Sequence, residues 1–262
     1  MSSTSRRDAM KSGAALAVLS AGGALAACSA APSRPATFVV AHGAWSAGWA
    51  WKKMHPLLGA RGHRLVTPSY TGLGERAHLA TPDIDLDTHI TDIVNVLFYE
   101  DLRDVVLIGH SYGGIVATGV ADRARDRIRR LIYLDSFVAD DGQSLADLTG
   151  GSAALQANAV DGWRVPPNPV PPDTSPEDVE WIMARRMHQP IKTLEQPLKL
   201  MHGALTLPRH YILCTKSETF RPYAVKAKSA GWPVYELDAS HSPHVTAPEA
   251  LGALLEKIAL DA

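Results

Sequence analysis

A serine set between glycines is the residue pattern in this chain best suited to do chemistry. Gly109-His110-Ser111-Tyr112-Gly113 follows the apolar run Val105-Val106-Leu107-Ile108 and leads into the small-residue stretch Gly114-Ile115-Val116-Ala117. A strand, a sharp turn and a helix in that order hold a serine hydroxyl clear of its own backbone. The helix then offers its first N–H groups to a developing anion. Glycines two before and two after the serine let the strand and helix backbones approach where a Cβ would not fit, and the residue at the apex is strained. Glycine and serine are common enough that the bare pattern arises in about one chain in ten of this length. The strand before it and the helix after it are what mark Ser111 as a candidate nucleophile.

A serine hydroxyl at neutral pH needs an adjacent base, usually histidine. The chain holds 11 histidines, so position has to choose among them. His241 lies in Asp238-Ala239-Ser240-His241-Ser242-Pro243, after the last apolar run and before the last helical one. In a parallel sheet that loop opens on the same carboxyl edge as the Ser111 turn, where such folds bind ligands. His244 is the rival. His110 is expected to anchor or pack a loop, and His42 to shape its own.

The elements that must position these residues alternate. Thr37-Phe38-Val39-Val40-Ala41 is a short apolar run typical of a strand buried on both faces. A helix is expected over 49–58, a strand over 63–67, a glycine-bearing loop over 70–76 and a helix over 87–98. The Ser111 strand and helix come next, then the strand Leu131-Ile132-Tyr133-Leu134, which ends at Asp135. Further strands are read at Tyr211-Ile212-Leu213-Cys214 and Val234-Tyr235-Glu236-Leu237, separated by a helix over 220–230. A final amphipathic helix opens at Pro248, since proline suits a first turn. Strand–helix alternation of this kind predicts an α/β fold with a doubly wound, mostly parallel sheet.

Between about 139 and 207 the alternation breaks into prolines and short helical pieces. An insertion of that length inside an α/β domain reads as a cap, with Trp163, Trp181, Met183 and Met187 as its candidates to face a substrate. Composition is that of an ordinary globular protein, 46% hydrophobic and 20% charged with net charge −1. It offers no basic surplus for nucleic acid. No Cys/His cluster has metal-ligand spacing and no glycine-rich loop suits a phosphate, so no cofactor or metal is expected.

The first residues read as an address. Arg6-Arg7 stand ahead of the apolar Gly13-Ala14-Ala15-Leu16-Ala17-Val18-Leu19, a stretch too short to span a bilayer well. This resembles a twin-arginine export signal. It closes in Leu25-Ala26-Ala27-Cys28, which resembles a lipobox with Cys28 as the lipidated residue. Residues 1–28 are then a signal, 29–36 a linker and 37–262 the domain. The expected location is periplasmic, or membrane-anchored through Cys28. With Cys28 so used, Cys214 has no disulfide partner and is read as a small core residue.

Three motifs carry a family resemblance: Val40-Ala41-His42-Gly43-Ala44-Trp45, Gly109-His110-Ser111-Tyr112-Gly113-Gly114, and His241 seven residues before Pro248. From about Phe38 to the C-terminus the chain resembles the α/β-hydrolase superfamily. Within it, the likeness is to the group containing plant methylesterases, hydroxynitrile lyases and related bacterial carboxylesterases. The resemblance implies a helical cap over the site and an oxyanion hole made by the backbone N–H groups of Ala44 and Tyr112. The acid is where this chain departs. Plant members resemble Cys-Thr-x-Asp after the next-to-last strand, and here the stretch is Cys214-Thr215-Lys216-Ser217. Asp135 is the favoured replacement, at a strand end that some superfamily members use for their acid. An isolated carboxylate there would be costly without a partner. Glu218, one residue past the usual site, is the alternative.

The implied function is hydrolysis of a small hydrophobic or aromatic ester through an acyl-enzyme. Hydroxynitrile lyases carry lysine after the catalytic histidine and threonine after the first-loop histidine, where this chain has Ser242 and Gly43. Lyase chemistry, and a weakly catalytic small-molecule receptor, are the alternatives. The lipidation reading is checked by fractionation: Cys28→Ala is expected to leave the membrane fraction, and full retention there would refute it.

Overall fold

The computed structural model describes residues 35–261. The signal, Cys28 and most of the 29–36 linker lie outside the described residues.

In chain order the elements are β1 (Thr37–Ala41), α1 (Met54–Ala60), β2 (Arg64–Val66), α2 (Leu86–Tyr99), β3 (Val105–His110), α3 (Gly113–Arg123) and β4 (Ile128–Leu134). Then come α4 (Leu145–Leu148), α5 (Ser152–Ala157), β5 (Arg164–Val165), α6 (Pro176–Met183), β6 (Gln189–Pro190) and α7 (Lys192–Glu195). The chain closes with β7 (Arg209–Cys214), α8 (Arg221–Ser229), β8 (Val234–Leu237), α9 (Pro243–Thr246) and α10 (Pro248–Leu260). Six strands form one sheet in the order β2-β1-β3-β4-β7-β8, with every neighbouring pair parallel. The first crossover runs outward from β1 to β2. The next returns past β1 to β3, and the sheet then grows the other way. The order therefore reverses between β1 and β3, and ligands bind outside the strand ends at such a point.

Strand periodicity sorts the core into two layers. Val39, Ala41, Val105 and Leu107 face one side with Ile90, Ile93 and Leu97 of α2, Ile115 and Val116 of α3, and Ala224 and Ala227 of α8. Phe38, Val40, Val106 and Ile108 face the other with Met54 and Leu58 of α1 and Leu251, Leu255 and Ile258 of α10. Alternate residues of each strand thus meet helices on opposite faces, which is why these strands read as continuous apolar runs.

Two expectations from sequence shift in the structure. The helix expected over 49–58 is a 3₁₀ turn at Gly48–Trp51 followed by α1. Pro56 has no N–H to give in a continuous helix, and restarting at Met54 places it in a first turn, where no donor is needed. β4 begins three residues earlier than its apolar run, because Arg129 and Arg130 belong to it. Arg130 is buried, and its guanidinium donates to the Ile258 and Asp261 carbonyls at the end of α10.

The segment after β4 leaves the sheet and returns at β7. It carries α4–α7 and an antiparallel ribbon in which Arg164 pairs with Pro190 and Val165 with Gln189. Fastenings tie it to the main domain. Lys53 Nζ donates to Asp178 Oδ2 at 2.7 Å and to the Val245 carbonyl at 3.1 Å. Trp181 meets the edge of Trp49, with Lys52 Nζ 3.6 Å from its ring centroid.

Candidate active site

The turn after β3 is set by close packing of backbone. A Cβ on Gly113 would lie 2.0 Å from the Ala41 carbonyl oxygen, and one on Gly109 would lie 2.7 Å from the Gly114 Cα. Helix α3 therefore sits directly against β1 and β3, and the chain must turn within one residue. That residue is Ser111, at φ +57°, a left-handed conformation that a side chain tolerates only when its surroundings impose it. Its N–H donates to the Leu134 carbonyl at 3.3 Å, and its own carbonyl accepts from Gly114 N at 3.1 Å and Phe137 N at 3.3 Å.

His241 stands in the loop between β8 and α9. Its Nε2 is 2.9 Å from Ser111 Oγ and its Nδ1 is 2.7 Å from Asp135 Oδ2. A carboxylate only accepts, so Nδ1 carries the hydrogen and Nε2 is free to accept from the serine hydroxyl. Asp135 is fully buried at the end of β4 and also sits at positive φ, +41°. Its second oxygen, Oδ1, accepts from Cys214 N at 3.0 Å, and its own N–H donates to the Ile212 carbonyl at 2.8 Å. Both carboxylate oxygens are thus engaged. Glu218 is not brought to His241: it lies exposed and pairs bidentately with Arg221, Oε2 to Nε at 2.5 Å and Oε1 to Nη2 at 2.9 Å. Glu218 stands three residues before Arg221, the first residue of α8, within reach of that guanidinium.

Two further contacts hold His241, one at its ring and one at its main chain. Phe220 stacks on the imidazole at 4.7 Å between ring centroids with a 7° tilt. His110 Nε2 donates to the His241 carbonyl at 2.7 Å. Burial and the neighbouring His241 and His244 imidazoles hold His110 well below the usual histidine range, so it remains a neutral donor. The loop-anchoring expected of His110 is the contact observed. His244 stacks on Trp51 at 4.7 Å and has no bond to Ser111 among the described residues.

The loop after β1 brings Ala44 beside the serine. Among the described residues neither the Ala44 nor the Tyr112 amide has a protein acceptor, and both residues line the cavity that contains Ser111 and His241. The loop is shaped by His42, whose Nδ1–H donates to the Gly43 carbonyl at 2.8 Å while its Nε2 accepts from Tyr70 N at 3.3 Å. Behind Tyr112, His89 accepts from the Tyr112 hydroxyl at 3.0 Å and donates from Nε2 to the Thr71 carbonyl at 3.2 Å. Burial lowers the pKa of His42 to about 4 and that of His89 to about 3.

Sequence reasoning missed how the cap reaches this loop. Gln189, fully buried in β6, accepts from Trp45 N through Oε1 at 2.9 Å and donates through Nε2 to Thr193 Oγ1 at 2.9 Å. Trp45 Nε1 donates to the Val165 carbonyl at 3.0 Å. The amide next to Ala44 is therefore held by a side chain 144 residues away. Nothing in a Gln-Pro pair marks this in advance. The cavity has a volume of about 850 Å³. Its cap-side wall is Leu145, Leu155, Val165, Ile182, Arg186 and Leu194, with a run of prolines from Pro166. The four residues proposed from sequence to face a substrate are absent from that wall. Trp163 packs on the core, Trp181 against Trp49, and Met183 and Met187 are exposed. Helix α6 turns Ile182 inward, and Met183, one residue on, points about 100° away.

A model of the alpha/beta hydrolase family matches residues 38–254. The chain belongs to that family. It is 35% identical over 240 residues to a carbendazim hydrolyzing esterase of Nocardioides sp. (strain SG-4G), covering 84% of this chain and 98% of that protein. It is 27% identical over 243 residues to a pheophorbidase of Raphanus sativus, covering 83% and 92%. Among solved structures, an extracellular alpha/beta-hydrolase from a Paenibacillus species superposes with a TM-score of 0.75 at 25% identity, covering 85% of this chain and 98% of that one. That hydrolase is described as sharing structural and functional homology with tobacco salicylic acid binding protein 2. The resemblance read from the three motifs is thus the family found.

Two outcomes follow from the packing. The neutral forms of His42 and His89 are the folded ones, since protonation would turn each accepting nitrogen toward a donor. The unfolded chain takes up these protons near 6.5 and the folded chain only near 4 and 3. Their stabilising contribution is therefore complete above pH 6.5 and is lost on acidification toward pH 4. By pH 5 the loss amounts to roughly 2 kcal/mol per histidine. Calorimetric melting across this range should show the decline, and a flat profile would contradict it. Separately, Gln189→Leu removes the acceptor of the part-buried Trp45 amide and should cost about 0.5–1.5 kcal/mol, read as a lowered urea midpoint.

Proposed function

We propose that this protein is a serine carboxylic-ester hydrolase. The carrying observation is the bonded chain Ser111 Oγ–His241–Asp135, with 2.9 Å and 2.7 Å contacts at the two imidazole nitrogens. The names of its relatives support the reaction class. One is a carbendazim hydrolyzing esterase, and another, matched over 40% of this chain, is a pyrethroid hydrolase of Sphingobium wenxiniae.

In the proposed reaction His241 Nε2 takes the Ser111 proton as Oγ bonds to the ester carbonyl carbon. The carbonyl π pair moves onto oxygen, where the Ala44 and Tyr112 amides meet it. Each such donor is typically worth about 3 kcal/mol in the transition state. Asp135 keeps the hydrogen on Nδ1 and stabilises the imidazolium. Collapse of the intermediate breaks the ester C–O bond, and His241 returns its proton to the leaving alcohol. Water then gives a proton to His241 and attacks the acyl group. Collapse of this second intermediate breaks the acyl C–Oγ bond, His241 returns its proton to Ser111 Oγ, and the acid product departs.

Position favours Asp135 over Glu218 as the acid. Asp135 is dry, doubly hydrogen-bonded and in contact with the base, whereas Glu218 is solvent-exposed and held by Arg221. The apolar wall of Leu145, Leu155, Val165, Ile182 and Leu194 suits a hydrophobic or aromatic portion of a small ester. Export to the periplasm, with or without a lipid on Cys28, remains part of the proposal on the strength of the sequence.

The test is release of p-nitrophenol from a p-nitrophenyl butyrate ester, with mass spectrometry for an acyl adduct on Ser111. Activity is expected in the native protein and absent in Ser111→Ala. Asp135→Asn should lower turnover by roughly 10⁴-fold through the wrong tautomer, while Glu218→Gln stays near the native rate. Equal activity of native protein and Ser111→Ala would overturn the proposal, and reversed effects of the two acid variants would reassign the acid.

A further inference from the structure

The wall of the cavity is uneven in charge. No aspartate or glutamate lines it among the described residues, whereas Arg186 and Lys216 do. Lys216 comes from the loop after β7 and has a distant carboxylate partner, Asp173 at 3.8 Å, which is not part of the wall.

Arg186 is the less expected of the two. It follows α6 in the cap and is half-buried. Its Nη1 donates to the Asn168 carbonyl, and its guanidinium carbon lies 5.9 Å from the Trp45 ring centroid. Among the described residues no carboxylate pairs with it, although Arg61, Arg76, Arg123, Arg125 and Arg127 each meet one. A partly desolvated guanidinium without a counter-charge is unfavourable, and burial correspondingly weakens its hold on the proton. Four of its five donors have no protein acceptor among the described residues. The planar fork they form matches a carboxylate in two parallel hydrogen bonds.

We propose that the substrate is an ester that also carries a separate ionised carboxylate, bound by Arg186 while the ester carbonyl lies at Ser111. This rests on the esterase reading and narrows it. The apolar wall then covers the body joining the two groups, and Lys216 adds positive potential without contacting the ester. Hydrolysis of such a substrate forms a new carboxylic acid and releases the alcohol, with water supplying the hydroxyl to one and the proton to the other.

Matched pairs of esters test the charge alone. 4-Nitrophenyl hydrogen glutarate is compared with 4-nitrophenyl butyrate for a carboxylate on the acyl side. 4-Carboxyphenyl butyrate is compared with phenyl butyrate for one on the alcohol side. The native protein should favour the charged member of at least one pair by roughly 10- to 100-fold in kcat/KM. In Arg186→Gln that ratio should collapse, mainly through KM, whereas Arg186→Lys keeps part of it and Arg185→Gln leaves it as in the native protein. No preference in the native protein, or the same preference in Arg186→Gln, would overturn the proposal. Calorimetry with monomethyl glutarate separates the two readings. If no ester is turned over, the esterase reading fails. Saturable binding to Ser111→Ala that is lost in the Ser111→Ala, Arg186→Gln double variant still supports the anion site, and absence of binding refutes it.

Discussion

A fully buried carboxylate is the constraint around which the carboxyl edge of this sheet is arranged. Asp135 ends a strand with apolar neighbours on both faces, where a lone charge would be costly. Its two oxygens are met by two donors from far along the chain, Cys214 N and His241 Nδ1, 79 and 106 residues away. One donor requires β7 to lie beside β4 in register, and the other requires the loop after β8 to fold back over both strands. The carboxylate therefore ties three strand ends together, and the imidazole it orients can meet Ser111 only because those ends are adjacent. The left-handed backbone at both Ser111 and Asp135 fits this arrangement. Each leaves its strand abruptly, and each is held by the next strand along.

Around that core His42, His89 and His110 serve as neutral, buried hydrogen-bonding groups. His42 and His89 use one nitrogen to donate and the other to accept, shaping the loop after β1 and backing the Tyr112 side chain. His110 fastens the loop that carries His241. Burial, and for His89 and His110 the neighbouring imidazoles, makes their protonation costly in the folded state. Of the imidazoles clustered here, His42, His89, His110, His241 and His244, His241 alone has a carboxylate partner among the described residues.

The cap does more than cover. Through Gln189 and Val165 it holds both the main-chain and the indole N–H of Trp45, so the loop that presents Ala44 is shared between cap and sheet. The same cap supplies most of the apolar wall and the guanidinium of Arg186. One insertion thus contributes both to the cavity wall and to the support of the loop that carries Ala44.

The local pattern of this chain determined a great deal. The apolar runs named the central strands, and the glycines around Ser111 named the turn, because strand burial and backbone approach impose residue types directly. The position of His241 was legible from element order alone, since parallel topology sends alternate loops to one edge. Three things were decided only in the folded molecule. Asp135 and Glu218 both stand near a suitable strand end, and only the packing of β4 against β7 shows which one reaches the imidazole. Trp163, Trp181, Met183 and Met187 looked suited to a pocket by type, but which way a short cap helix turns depends on contacts such as Trp49 on Trp181. Gln189 and Arg186 carry no motif. Their significance comes from what lies across the cavity from a segment remote in sequence, and local pattern holds no information about that.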